Sequence, residues 1–554
     1  MTHIHNRGPR LPFFAMLAMG LLVVVPVTFV LLQAVFPGAA LADWSQPLAH
    51  WQTLWQDTAI GHLLSNTLWL GICVVAGALL LGVPLGLLRG LCQLPGAALW
   101  DLCFLVPFMV PPYIAAMGWI LLLQPAGFLQ QTTGMHAAGL LFSIPGVVLV
   151  MVLNLFPVVY FAVSRAAAAA GGRMALVARV CGANPWQALW RITLPLALPA
   201  MAASALLVFA MTIEEYGTPA VLASNVGFFV LVTGIEQRLS DWPIDLPGAS
   251  LLSVVLMVLA VLAYVLQRRL LAHRGYEATD GKPQTFAQVA LGHWRWPVLL
   301  LFICTGICAT ALPLLSIAAT AFTGTLSGGL AWENWTLRHF ASILQTGSAA
   351  MQALGTSFAL ALGAAMLVGL LGAVVAYCTV RLRSRATVLL DAFSILPNAM
   401  PGMVVAVGMI LAWNQPWLPA TPYNTWLILL MAYACLLLPY PVRYAHAALQ
   451  QVSVSLESAA RVHGASLWQM LARIVAPLLA PSIAAAMLLA FAIATRELVA
   501  SLLLAPTGMQ TVSVYVWRQF EQGSVGEGMA MSLIAIAVTA ALVLLAHKLA
   551  ARKV

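Results

Sequence analysis

Twelve apolar stretches, each long enough to cross a lipid bilayer as a helix, succeed one another along this 554-residue chain. They run over about 11–36, 63–88, 99–123, 140–164, 196–223, 247–270, 296–322, 349–379, 387–413, 424–446, 480–504 and 528–550. A hydrocarbon core roughly 30 Å thick needs about 20 apolar residues of helix, and helical hydrogen bonding satisfies the backbone polar groups that lipid cannot. Only 7% of the residues are Asp, Glu, Lys or Arg, against 62% hydrophobic, which is too little charge to cover a water-facing surface. The expected fold class is therefore all-α and polytopic, with about twelve transmembrane helices. The first run follows Arg7 and Arg10 in the manner of a signal peptide. It is longer than a typical h-region and lacks a small-residue cleavage site, so it is read as an uncleaved first span.

With the N-terminus inside, 21 of the 25 Lys and Arg residues fall on the cytoplasmic side. Arg238, Arg338 and Arg518 stay outside, and Arg496 lies within a helix. Cationic loops mark the cytoplasmic face, so both termini are expected there. The net charge of +9 then follows from topology, and no nucleic-acid partner is expected. The eight cysteines, Cys73, Cys92, Cys103, Cys181, Cys304, Cys308, Cys378 and Cys435, are singletons and are read as small buried hydrophobes. His136, His293, His339, His446 and His463 have no ligand spacing, so no metal site is expected. No GxxxxGK[ST] phosphate loop occurs, nor any Ser/His/Asp or Cys/His arrangement. The chain is expected not to be an enzyme and to bind no cofactor itself.

The chain repeats itself. A shift of 282 residues lays ARVCGANPWQALWRITLPLALP (178–199) on ARVHGASLWQMLARIVAPLLAP (460–481), with 13 of 22 positions identical. The same shift carries Pro157 onto Pro439 and Glu215 onto Glu497, and a shift of 290 pairs Asp101, Pro107, Pro111 and Gly118 with Asp391, Pro397, Pro401 and Gly408. Two six-helix halves are implied, 1–272 and 296–554, joined by a polar cytoplasmic linker at 273–295. An even number of spans per half leaves both halves the same way up, a parallel repeat with its route at the seam.

The repeated polar segment, about 175–195 and 457–477, interrupts the apolar pattern on the cytoplasmic side. Each copy is expected to form a short amphipathic helix carrying Arg179 or Arg461, broken by Gly182–Ala183 or Gly464–Ala465. A second short helix then begins near Trp186–Gln187 or Trp468–Gln469 and ends at a proline, where the next span starts. Glycine supplies the dihedral an elbow needs, and proline suits a helix start. An interfacial loop lying on headgroups would also fit one copy; two matching copies argue for two matching docking sites on a paired partner.

The stretch ESAARVHGASLWQMLARIVAPLLAP (457–481) resembles the EAA loop of binding-protein-dependent ABC importer permeases, with Glu457, Ala459, Ala460 and Gly464 at the motif positions and Gly182 in the first copy. The resemblance implies the type I ABC importer permease fold and elbows that act as coupling helices in grooves of a cytoplasmic ABC ATPase dimer, which carries the ATP and Mg. It also implies an extracytoplasmic solute-binding protein and a place in the bacterial inner membrane. Ala175 stands where Glu457 stands, so asymmetric docking is implied. IEEYGTPAVLA (213–223), RGYEATDGKP (274–283) and TRELVASLLLAPTG (495–508) look most like the ferric-iron type, with 2-aminoethylphosphonate and thiamine permeases as alternatives.

Ionisable residues within spans are costly and mark function, which singles out Glu214 and Glu215, with the adjoining Tyr216, and Arg496 and Glu497 as candidate pathway residues. Glu497 pairs with Arg496 or with the first half to lock helices, or the carboxylates line a route suited to a hard cation; an anionic cargo would favour Arg496. Pro107 and Pro111, and Pro397 and Pro401, are hinges or static kinks in the third and ninth spans. An ion-driven secondary transporter also favours twelve spans, but predicts a charged loop between spans two and three, and here residues 89–99 are short. A scaffold would need no ATPase.

Overall fold

Apolar runs of this length leave helix as the main backbone solution in lipid, and the computed structural model is helical throughout. It describes residues 11–38, 44, 46–49, 51, 58–171, 174, 177–178, 180–272, 288–382 and 384–551. Among the described residues there is no strand, only the isolated bridges Cys92–Val289 and Thr323–Trp335. Ten helices are long and apolar enough to cross a membrane. Two bent pairs, Arg385–Ala399 with Gly402–Trp413 and Trp426–Leu437 with Pro439–Gln451, complete the expected twelve. In a third bent pair, Pro219–Val226 with Leu231–Ser240, turned through 90°, the first helix begins inside the expected span five and the second is one that the apolar pattern does not mark.

Spans five and eleven differ from expectation. The apolar pattern puts them at 196–223 and 480–504, with a separate elbow helix stopping at a proline; instead, single helices run over Trp186–Glu214 and Leu467–Ala494. The reason is a π turn. Leu189–Thr193 and Leu471–Val475 each end two residues before a proline, Pro195 or Pro477. Gly20–Val24 and Ile307–Ala311 stand in the same relation to Pro26 and Pro313. A proline ring lacks an N–H and crowds the carbonyl four residues back; the wider π turn, with bonds reaching five residues, gives it room, and the helix continues.

The first span of each half crosses to the other half. Val25–Val35 packs on Gly402–Trp413, and Leu312–Phe322 packs on Pro112–Leu123. Both crossings hinge on a glycine: a Cβ at Gly408 would lie 2.8 Å from the Pro26 carbonyl oxygen, and one at Gly118 would lie 2.7 Å from that of Pro313. Small residues let membrane helices approach to backbone contact. Ser316 Oγ also donates to the Gly118 carbonyl at 2.6 Å. The two sets of spans are thus interlocked.

At the end of the bundle away from the elbows, each half adds a short helix, Leu231–Ser240 or Val512–Glu521. The first N–H of each is held by a hydroxyl from the half's second span: Leu231 N–H donates to Thr67 Oγ1 at 2.8 Å and Val512 N–H to Ser357 Oγ at 2.7 Å. Most of the expected linker lies outside the described residues; its last part pairs with the end of span two, Val289 N–H donating to the Leu91 carbonyl at 2.9 Å. All eight cysteines are free. Only Cys378 and Cys435 are fully buried, whereas Cys181 and Cys304 are exposed, against the expectation of burial. Cys304 lies on the exposed face of a candidate span, and Cys181 on the elbow.

Candidate functional site

Where both are described, the two elbows share the geometry of their turn and of the cap that follows it. In the second, Val454–Val462 is a helix started by Ser453. It ends where Gly464 takes φ +79° and Ala465 N–H donates back to the Ala460 carbonyl at 3.0 Å. In the first, Gly182 takes φ +92° and Ala183 N–H donates to the Ala178 carbonyl at 2.9 Å. A left-handed residue after a helix is where glycine costs least. The next helix is started by reciprocal capping. Ser466 N–H donates to Gln469 Oε1 at 2.9 Å and Gln469 N–H to Ser466 Oγ at 3.3 Å; Asn184 and Gln187 make the same pair at 3.0 and 2.7 Å. The glutamines singled out by the repeat are therefore caps.

Each elbow leaves a matched apolar pair uncovered. Val180 and Val462 are 88% and 85% exposed, and Trp186 and Trp468 are 69% and 68% exposed. Arg461 and Ala459 are also exposed and Ala460 is half-buried. Arg179 and Ala175 lie outside the described residues.

Glu457 is the exception on this surface, buried at 4% exposure. Its carboxylate accepts from Arg381 Nε at 2.6 Å, and Arg381 Nη2 donates to the carbonyls of Leu449 and Val452 at 3.2 and 2.8 Å. Arg381 closes span eight and those carbonyls close the helix Pro439–Gln451, so one ion pair ties the elbow to two spans. In the first half Arg89, in the last turn of span two, pairs instead with Asp101 at 2.7 Å, which also accepts from the Tyr160 hydroxyl at 2.7 Å.

The second arm of each elbow runs without a break into a span, and both rods lead to the candidate carboxylates. Trp186–Glu214 ends at Glu214, directly before Glu215, and Leu467–Ala494 ends three residues before Glu497. At 1.5 Å per residue, helices of 29 and 28 residues are about 43 and 42 Å long. Glu215 Oε1 accepts from Thr218 N–H at 3.2 Å, and Glu497 Oε1 from Ala500 N–H at 3.2 Å. The two half-buried carboxylates occupy equivalent places at the ends of equivalent rods. Tyr216 is buried and packs on Trp517 of the second half, ring centroids 5.6 Å apart, with Tyr113 on the same indole at 6.1 Å.

The proline segments break their spans rather than bending them gently. Pro111 and Pro401 each start a new helix with nearly the same dihedrals, φ −53°, ψ 133° and φ −56°, ψ 143°. Pro107 lies inside Ala97–Met109, and Pro397 in the turn Leu396–Ala399. The second-half break turns the chain through 116°. In the first half, the residues four on from Pro107 and Phe108 are Pro111 and Pro112, which have no N–H to offer their carbonyls. Such carbonyls cannot be left unpaired inside a bundle. Asn154 Nδ2 donates to the Pro107 carbonyl at 3.0 Å, and Arg496 Nη1 reaches across from the second half to the carbonyls of Phe108 and Met109 at 3.0 and 3.2 Å. Arg496 therefore locks the halves through backbone. Among the described residues it forms no ion pair within 4 Å with Glu497, so the pairing of those neighbours is corrected.

Sequence reading missed Arg381, Asn154, Tyr113 and Trp517. Asn154 carried a signal, a carboxamide in an otherwise apolar run; the Arg381–Glu457 pair, 76 residues apart, carried none.

A family model described as binding-protein-dependent transport system inner membrane component matches the chain twice, over residues 82–274 and 365–554. The ferric transport system permease protein of Actinobacillus pleuropneumoniae is 26% identical over 500 residues, covering 88% of this chain and 70% of that protein. A protein of Salmonella typhimurium named for 2-aminoethylphosphonate transport is 27% identical over 253 residues, 46% of this chain and 92% of its own length. The sulfate transport system permease protein of a Synechocystis strain is 28% identical over 207 residues, 36% of this chain and 74% of its own.

Proposed function

This chain belongs to the family of inner membrane components of binding-protein-dependent transport systems, and from that premise we propose that it forms the membrane pathway of an ATP-driven importer of ferric iron. It is a multi-span ABC permease, a transport subunit rather than an enzyme. Its halves divide as 1–272 and 296–554, joined at 273–295. The elbows at 175–195 and 457–477 face the cytoplasm with both termini, and dock on the two subunits of an ABC ATPase that holds the ATP and Mg. A solute-binding protein delivers cargo at the opposite face of the bacterial inner membrane.

The observation that carries this reading is the pair of unbroken rods, each running from a docking elbow to a carboxylate at the seam. When the ATPase subunits close, they draw the elbows together. A continuous helix passes that displacement on without loss at a joint, and the far ends of the rods shift together. Arg496 then leaves the Phe108 and Met109 carbonyls, and the seam opens. Pro111 and Pro401, each at a break, absorb the change in angle. Glu215 and Glu497, one from each half, present oxygen ligands that suit a hard trivalent cation in transit, and the ferric transport relative supports that cargo. A second reading, an amino-phosphonate cargo, is favoured by Arg496 at the same seam, within electrostatic range of both carboxylates, and by the relative named for that solute.

Uptake by proteoliposomes holding the permease, its ATPase and its binding protein tests both. Ferric iron accumulates with ATP and 2-aminoethylphosphonate does not. Glu215→Gln with Glu497→Gln lowers iron uptake about tenfold or more, the ratio that roughly 1.4 kcal/mol of lost stabilisation produces. Phosphonate uptake that is lost in Arg496→Gln, with no iron uptake, would establish the second reading instead.

A further inference from the structure

One face of the helix Thr58–Leu91 lines two adjoining clefts, one carrying charged and polar side chains among its apolar ones and the other without a charged side chain. Near its start, His62 and Asn66 meet Gln237, Arg238 and Asp241 around a polar cleft of about 690 Å³. Further along, Cys73, Gly77 and Leu80 meet Val148 and Val152 around an apolar cleft of about 610 Å³. With Trp69, which also lines the apolar cleft, these positions recur at three- and four-residue intervals, so they form a single stripe. Phe229 lines the polar cleft and Phe228 the apolar one, which joins them end to end.

The change of character falls at the membrane boundary. Counting back about 20 residues from Arg89, the basic residue that closes this helix, covers a hydrocarbon core of roughly 30 Å and arrives at Trp69. That indole is 61% exposed and lines the top of the apolar cleft, the depth at which tryptophan anchors a span. The apolar cleft thus lies within the leaflet far from the elbows, and the polar cleft lies just beyond it. The polar end carries both signs of charge: Arg238 Nε lies 3.3 Å from Asp245, and Asp241 and His62 line the same cleft with that pair.

We propose that this groove binds one diacyl phospholipid with a zwitterionic aminoethyl phosphate head, drawn from the leaflet far from the elbows. An acyl chain lies against Cys73, Gly77 and Val152. The phosphate meets Arg238 and His62, and the ammonium meets Asp241. A hydrocarbon tail alone would not need the charged cleft, and a soluble anion alone would not need the apolar one. The site is separate from the seam and from the transport reading above.

Native mass spectrometry of the full chain, released from lipid discs of phosphatidylcholine doped with phosphatidylethanolamine or phosphatidylglycerol, tests it. The expected result is one retained phosphatidylethanolamine per chain. Cys73→Trp or Leu149→Trp, which fill the tail groove, lower retention at least tenfold. Arg238→Gln removes the preference for phosphatidylethanolamine. Leu362→Trp, at a lipid-exposed position in the second half, leaves retention unchanged and shows that a new indole on this surface is tolerated. Equal retention of all three lipids by the parent chain and both groove variants would overturn the proposal. So would preference for phosphatidylglycerol, or release of the lipid by free phosphoethanolamine with the tail variants unaffected.

Discussion

Removing the Glu457 carboxylate would leave the Arg381 guanidinium, 12% exposed, with two carbonyl partners and no counter-charge. Breaking one side of a buried ion pair costs about 3–5 kcal/mol, and here the cost falls on the joint between elbow and spans. Glu457→Ala is expected to speed amide exchange across Val454–Val462 while the far-end helices keep their protection. Adding Arg381→Ala should cost much less than the sum of the single changes, since the two share one interaction. At the seam, Arg496→Ala orphans the Phe108 carbonyl, and an unsatisfied buried acceptor costs about 1–3 kcal/mol. Thermal unfolding should shift down for Arg496→Ala and for Asn154→Leu alike, with Arg496→Lys intermediate because an ammonium reaches one carbonyl rather than two. Residue chemistry was only half legible in the sequence. The unusual residues Glu215, Arg496 and Glu497 stood out because charge is rare in spans. Their partners did not, because Arg496 bonds backbone 388 residues away, and a carbonyl leaves no mark in a sequence.

At the scale of elements, the elbow was the most legible part, since Gly182 and Gly464 and the capping glutamines act locally and their spacing is the geometry. Asn184→Ala and Ser466→Ala each remove a cap worth about 1 kcal/mol. Together they should loosen both elbows, read as faster exchange at the first amides after each cap. What misled was proline. Pro195 and Pro477 mark helix starts by their usual preference, yet a preceding π turn lets the helix pass through, and hydrophobic periodicity does not report a π turn five residues long. The glycines at crossings were legible as a matched pair but not as contacts. Gly118→Leu or Gly408→Leu would drive a side chain into backbone that cannot retreat, and either chain is expected to lose its monodisperse peak in size-exclusion chromatography. Gly134→Leu tests whether bulk alone matters: Gly134 has nothing within 4 Å but φ +74°, and it should cost only local turn strain.

For the whole molecule, duplication was readable because the registers of 282 and 290 residues preserve prolines and glycines that do the same work twice. The exchange of first spans between halves was not, since a repeat tells which segments are equivalent and not which copy each one packs against. Val25–Val35 and Leu312–Phe322 each strap one half to the other, and in the proposed mechanism the rods would move between these straps. On that proposal the straps would keep the halves together as the seam opens.

The central claim is that movement at the elbows arrives at the seam through two continuous helices. Spin labels at positions 180 and 462, and in a second sample at 211 and 493 near the far ends of the two rods, in the assembled complex with its ATPase in lipid, measure both ends by pulsed dipolar distances. The account predicts that trapping nucleotide shortens the elbow distance and changes the seam distance in the same complexes, and that Gly182→Pro with Gly464→Pro removes both changes. Elbows that move while the seam stays fixed, in complexes that still transport, would contradict it.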